Sequence, residues 1–299
     1  MADLMSLTPE PALADAPSRT GRRRATRKRG RVVYAISCGW LILVVLLALT
    51  ADLLPLEPSD QPISTEFKKP PALRWSEPLG TDEIGRSILS RVIFGLRVSL
   101  LVALLSIGIA VVFGVLLGVV AGYLRGWVGW LFDFFTDVLL AFPPLLFLLA
   151  LSAALQPSFR TLTISLVFLA FPTLARVARA NTLTVASREF VTVAKAMGAR
   201  PRQVIFREIV PNVALPVMSV AFISIAGLMV AEGSLSFLNR GIPRPTPSLG
   251  GMIASGRDSL NTRPHLVFVP GIVLLLTVYA LNVVGERARA RISLRNPDA

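Results

Sequence analysis

The stretch SREFVTVAKAMGAR, residues 187–200, interrupts an otherwise apolar second half of the chain, and the rest is organised around it. Phe190, Val193, Ala194 and Met197 recur at i, i+3, i+4 and i+7, one face of a helix. Ser187 is placed to cap that helix, and Glu189 puts negative charge in its first turn, where the helix dipole favours it. Gly198 accepts φ > 0 and predicts the stop. Pro201 predicts a second helix, because a first-turn position needs no N–H. Thr192, Ala196 and Ala199 form a small, neutral face, predicted to be exposed, and Arg188, Lys195, Arg200 and Arg202 make the flanks basic. On residues alone, two readings stand. The segment docks into a groove on a soluble partner, or it lies on lipid headgroups.

Outward from this stretch the chain is greasy. Of 299 residues, 53% are hydrophobic and 16% charged, and the mean hydropathy is +0.64. This predicts an all-α polytopic membrane protein. One cysteine, Cys38, excludes an internal disulfide. One histidine, His265, stands without Cys or acidic companions at ligand spacing, which argues against a metal site. No phosphate-binding Gly-x-x-x-x-Gly-Lys-Ser/Thr loop occurs, and no nucleophile–base constellation stands out. The sequence therefore predicts no catalytic residues, no cofactor bound by this chain and no enzymatic activity.

Six apolar runs predict six transmembrane helices: 32–54, 98–122, 130–154, 161–180, 211–236 and 266–285. A basic arm, 1–31, precedes the first, and its opening 20 or so residues read as disordered. The first run, about 23 residues, exceeds the roughly 7–15 of an export signal's apolar region, so it reads as an uncleaved helix. A Pro-rich loop, 55–97, is predicted to end in an amphipathic helix, with Thr81 capping a first turn that carries Asp82 and Glu83. A core of five apolar runs spans 98–286, with a loop at 181–210 and another at 239–265, and residues 287–299 form a tail. Gly114, Gly118 and Gly122 form overlapping Gly-x-x-x-Gly repeats, a packing face in lipid. Phe142-Pro143-Pro144 breaks the third run midway.

Asp133 and Asp137 share a face within a span, as do Arg176 and Arg179. Charge in a span faces protein or water, so an intramembrane ion-pair cluster is expected, with Asp137 assigned to Arg179. Phe142, Pro143, Glu232 and Ser234 are candidates for a translocation pathway. With the first helix entering from inside, both termini and the 181–210 loop share one side. That side carries 20 of the 31 Lys and Arg residues, the other 11. The bias toward short flanking segments predicts a multi-pass membrane protein with cytoplasmic termini. The net charge of +13 is then a topology signal, in contact with membrane lipid, and not a nucleic-acid footprint.

Three stretches carry a family resemblance. Residues 188–212 resemble the cytoplasmic "EAA" loop of ATP-binding-cassette importer permeases. LGTDEIGRS, 79–87, resembles the segment before the core in dipeptide, oligopeptide and nickel importers, and Ala231 to Asp258 resembles their outer-loop signature. Thr192 stands where the family has an acid, Asn239-Arg240 where it has Gly-Leu, and Leu249 where it has tryptophan. The resemblance is to the second-permease type and implies the type I importer permease fold. It implies as partners a paralogous permease subunit, two ATPase subunits that hold ATP and Mg, and an extracytoplasmic substrate-binding protein. It assigns ATPase coupling to Arg188, Glu189, Thr192, Val193, Ala194, Lys195, Ala196, Gly198 and Arg200. Di- or oligopeptide is the implied cargo, with nickel chelates or glutathione as alternatives. A different class, an ion-coupled secondary transporter, predicts internal repeats and midplane acids, and no clear repeat is visible.

Overall fold

The structure, a computed structural model, describes residues 19–63, 71 and 78–295. Residues 1–18, most of the 64–77 stretch with Lys68, Lys69 and Arg74, and 296–299 lie outside it. Helix α1 (Arg19–Thr50) is followed by α2 (Ile88–Leu124), α3 (Gly126–Ala141), α4 (Pro144–Ala154) and α5 (Phe159–Ala186). The short α6 (Glu189–Ala196) and α7 (Pro201–Gln203) come next. A π-helical turn, Val204–Ile209, leads into α8 (Val210–Phe237), then α9 (Leu249–Gly256) and α10 (His265–Arg295). Among the described residues five helical segments are long and apolar enough to cross a membrane, six when the pair α3–α4, bent by 91°, is counted as one span.

The centre of the bundle is the seam between α2 and α5. Gly114 faces Leu174 and Ala175, Gly118 faces Ala178, and Gly122 faces Thr182, so the two helices run parallel. A Cβ built on Gly118 would lie 2.8 Å from the Ala178 Cβ and 3.0 Å from the Arg179 backbone nitrogen. Only hydrogen fits there, which is the physical content of the Gly-x-x-x-Gly repeat. Helix α1 packs antiparallel to α10. Trp40 Nε1 donates to Thr277 Oγ1 (3.2 Å), and Arg287 Nη2 donates to the Gly30 carbonyl (2.5 Å).

Several boundaries differ from the sequence reading, each for a local reason. The arm from Arg19 onward is helical and continuous with α1. Helix α2 begins at Ile88, capped by Ser87, whose hydroxyl accepts from Ser90 N; Thr81 is not the cap. Asp82 Oδ1 instead accepts from Ile84 N and Arg86 N, closing a turn that Gly80 and Gly85, both at φ 82, permit. No separate amphipathic helix precedes α2 among the described residues; the polar turn feeds straight into the span.

The fifth span also starts earlier than residue 211. It runs from Pro201 to Phe237 without a break. Pro211 lacks an N–H and its ring crowds the carbonyl four residues back. The π turn immediately before it absorbs that misfit: Val210 N bonds Ile205 O, five residues back. The third span breaks at Phe142–Pro143 and turns through a near right angle, a sharper bend than a kinked helix.

Candidate coupling site and buried polar clusters

Helix α6 sits at one end of the bundle, between α5 and α7. Its N-cap is Arg188 in extended conformation; Ser187 closes α5 instead, donating to Thr184 O at 2.8 Å. Glu189 stands in the first turn and Lys195 in the last, both matched to the helix dipole. At the C-terminus Gly198 adopts φ 85. Gly198 N bonds Lys195 O (3.0 Å) and Ala199 N bonds Ala194 O (3.1 Å), the paired pattern of a Schellman stop. A side chain at Gly198 would meet nothing within 4 Å, so glycine is required there for its backbone and not for space. Gln203 Oε1 accepts from Arg200 N and restarts the helix with Pro201 at its first position.

Helix α6 is anchored by a residue outside the expected apolar face, while Thr192 and Ala196 are exposed as expected and Ala199 is half-buried. Val191 is fully buried in the core that also holds Val185 and Val204, with Ala194 half-buried as well. Phe190, Val193 and Met197 are exposed, Met197 by 83%. Thr192 and Ala196 are exposed beside them, and Thr192 Oγ1 donates to Arg188 O at 3.4 Å. The helix is held in place by one β-branched residue and by Lys195, whose ammonium lies 5.0 Å from the Tyr123 ring at the end of α2. On its apolar stripe at i, i+3 and i+7 the described residues leave Val193 and Met197 largely open and Phe190 partly so. Periodicity alone could not choose between the two faces, because α6 is too short to need its longer apolar stripe for folding.

The four predicted intramembrane charges are brought together on α3 and α5. Arg179 Nη1 bonds Asp133 Oδ1 at 2.7 Å, and Arg176 Nη2 pairs with Asp137 Oδ1. Arg176 Nε also reaches Thr136 Oγ1 at 3.4 Å. The expected match of Asp137 with Arg179 is therefore corrected. Helices α3 and α5 run antiparallel here, so the earlier acid meets the later arginine. Arg179 is the more enclosed partner: its guanidinium stacks 5.8 Å from the Phe132 ring, and a Cβ at Gly129 would come within 2.9 Å of its Nη2. Asp137→Arg alone is expected to lower the yield of monodisperse protein from membranes several-fold. Adding Arg176→Asp restores it, whereas adding Arg179→Asp does not, measured by fluorescence-detected size exclusion. Equal rescue by both would contradict the register.

The four pathway candidates separate. Phe142 and Pro143 are exposed at the α3–α4 break, and Ser234 is half-buried with its hydroxyl bonded to Val230 O. Glu232 lines no open surface; it is fully buried. Ser99 of α2 donates to its Oε2 (2.9 Å) and Ser236 of α8 to its Oε1 (2.8 Å). Leu249 N donates to Ser99 Oγ (3.3 Å), so the carboxyl group ties α2, α8 and α9 into one knot. Gly233 and Gly250 let α9 approach closely enough to complete it. A buried acid needs such donors. Ser236, four residues on, shares the helix face of Glu232, but the Ser99 donor lies 133 residues away and no local pattern could reveal it.

Two departures noted above have structural explanations. Asn239 adopts φ 58, a left-handed conformation that Asn tolerates better than other residues with a Cβ, in a Schellman stop that ends α8. Leu249 is fully buried against Gly95, filling its site with an aliphatic side chain.

Residues 114–295 match the family described as "Binding-protein-dependent transport system inner membrane component". The chain is 35% identical over 254 residues to the di/tripeptide transport system permease protein DppC of Pseudomonas aeruginosa, covering 84% of each. It is 36% identical over 270 residues to the dipeptide transport system permease protein DppC of Escherichia coli K12, covering 88% of each. It is 30% identical over 283 residues to the glutathione transport system permease protein GsiD of Pectobacterium atrosepticum, covering 93% of each. Among solved structures, the inward-facing methionine ABC transporter MetNI superposes with a TM-score of 0.54 at 17% identity. It covers 68% of this chain and 96% of that one, a likeness of fold.

Proposed function

Because this chain belongs to the family of binding-protein-dependent transport system inner membrane components, we propose that it is the permease subunit of an ATP-driven importer of di- and oligopeptides. The protein does no bond chemistry itself. It forms part of the translocation pathway together with a paralogous permease, receives cargo from an extracytoplasmic binding protein, and is driven by two ATPase subunits that hold ATP and Mg. Both termini and α6 face the cytoplasm, the side favoured by the distribution of Lys and Arg.

The observation that carries the coupling role is the exposed stripe of Phe190, Val193 and Met197 on α6. A short amphipathic helix with three exposed apolar anchors and basic flanks fits a groove in a soluble partner, and burying those anchors drives association. Helix α6 follows α5 after only Ser187 and Arg188, and its Schellman stop leads within a few residues into the Pro-started fifth span, so it is a lever joined to α5 and α8. Displacement of α6 by the ATPases moves those two helices, and α5 carries α2 with it through the glycine seam.

Reconstitution of the complete importer in proteoliposomes tests the function. ATP-dependent accumulation of labelled dialanine that requires the binding protein is the expected result. A second reading, glutathione as cargo, follows from the relative of that name, which matches 93% of this chain. Accumulation of glutathione in preference to dialanine decides for it, and accumulation of either without ATP overturns the importer reading.

A further inference from the structure

At the end of the bundle opposite α6 lies a cavity of about 220 Å³ that no role above uses. Arg91 and Arg244 supply its charge, and Ser236, Asn239, Thr246 and Ser255 add hydroxyl and amide groups. Among the described residues no Asp or Glu lines it. We propose that this cavity is a carboxylate subsite, which takes the C-terminal carboxylate of a peptide at the outer mouth of the pathway.

The two arginines differ in what they can do. Arg91 is 5% exposed and fixed: its Nη1 donates to Ser59 O (2.7 Å) and Pro245 O (3.4 Å), and its Nε lies 3.4 Å from Asp82 Oδ2. Asp82 is itself claimed more closely by Arg86, at 2.7 Å, so one carboxylate faces two guanidinium groups before Arg244 is counted. Arg91 therefore contributes field and shape rather than a free hydrogen-bonding edge. Arg244 is exposed and bonds Ser255 Oγ through Nη2 at 2.8 Å. Its remaining N–H groups have no partner among the described residues. A planar fork of that kind binds carboxylate bidentately, with the two oxygens matched to parallel N–H groups.

Size narrows the ligand. Sites that enclose a whole small molecule run to roughly 300–1,000 Å³. This cavity is smaller, so it admits the end of a ligand and leaves the rest outside. Two cations of one sign repel the ammonium end of a zwitterionic peptide and attract its carboxylate, which sets the direction in which a peptide enters. The cavity is walled by the first turn of α2, the end of α8 and the start of α9, three elements joined by the Glu232 knot. Occupancy is thereby connected to helices that frame the pathway.

This inference rests on the peptide reading given above, and its test is independent of transport. The permease pair with its ATPases, in lipid nanodiscs and without the binding protein, is titrated with N-acetyl-alanyl-alanine and with its C-terminal methylamide by saturation-transfer NMR. The acid is expected to give a signal about tenfold stronger than the methylamide, as loss of a charge-assisted hydrogen-bonding pair predicts. Arg244→Gln reduces the acid signal to the methylamide level, and Arg244→Lys keeps an intermediate one. Thr246→Glu, at an exposed position with Arg244 intact, places a competing carboxylate in the cavity and produces the same loss in a complex whose folding is not in question. Equal signals from acid and methylamide, or an undiminished acid signal in both variants, overturn the subsite. If those variants instead weaken association of the binding protein while acid and methylamide behave alike, the cavity receives an acidic side chain of that partner and the proposal fails. Absence of ATP-driven dialanine uptake by the wild type overturns the transport reading and leaves this comparison unaffected.

Discussion

Met197→Asp is expected to strip the ATPase subunits from the purified complex while leaving the helix bundle intact. Met197 is 83% exposed, so the substitution removes no packing within this chain. It follows the last residue of α6 and precedes Gly198, so the Schellman stop, made by backbone groups of Lys195 and Ala194, survives. In the assembled importer the position would be covered, and a carboxylate there must be desolvated without a partner. Apolar anchors at the centre of an interface carry about 2 kcal/mol or more each, or some 30-fold in affinity, and an unpaired buried charge exceeds that. Co-purification of ATPase with tagged permease, and ATP-dependent uptake, should both fall at least to that extent. Retention of stoichiometric ATPase would remove the exposed stripe from the coupling surface and return α6 to a headgroup-covering role. Thr192→Glu is the informative companion. It restores the acid usual in the family at an exposed site with no neighbour to displace, and is expected to leave association as strong as wild type or stronger.

Gly118→Leu is expected to abolish recovery of folded protein altogether. The Cβ alone would stand 2.8 Å from the Ala178 Cβ and 3.0 Å from a backbone nitrogen, and those neighbours belong to a continuous helix that cannot shift locally. Extra methylenes forced into a packed core cost about 1–3 kcal/mol. A whole leucine side chain against backbone lies beyond that range and is a large part of the roughly 5–15 kcal/mol that holds a domain together. The seam also joins α2, which supplies Ser99 to Glu232 and Tyr123 to Lys195, to α5, which leads into α6. Loss of the monodisperse peak in size exclusion is the expected reading. As a control, Gly227→Leu has no atom within 4 Å of the added Cβ and should be tolerated. Normal yield of the Gly118 variant would mean that α2 and α5 do not meet along this face.

The long elements were legible in the sequence because their determinants are local or compositional. Apolar runs of spanning length, the Pro-Pro break after Phe142, the glycine stop at Gly198 and the Gly-x-x-x-Gly face each follow from backbone chemistry within one segment. Boundaries were read less well where two local signals competed. Asp82 looked like a first-turn acid and turned out to hold a glycine-permitted turn, which left Ser87 as the cap. Pro211 looked like a helix start and sits inside one, because a π turn absorbs it.

What the tertiary structure alone decided is which of two possible surfaces each polar or short segment turns inward. Helix α6 has an apolar stripe and a small face, and it buries neither as such; it anchors through Val191, which is fully buried in the core that also holds Val185 and Val204. Asp133 and Asp137 share a face in the sequence, but only the antiparallel crossing of α3 and α5 assigns Arg179 to the first and Arg176 to the second. Glu232 reads as a charge near the end of a span. Its burial depends on the Ser236 hydroxyl one turn away, on the Ser99 hydroxyl 133 residues away in the chain, and on the close approach of α9. Local chemistry sets where the chain can be helical and where it must turn. Which side of each helix is satisfied by protein, and which is left to meet a partner, is a property of the packed bundle, since burial is shared among segments that no single stretch of sequence contains.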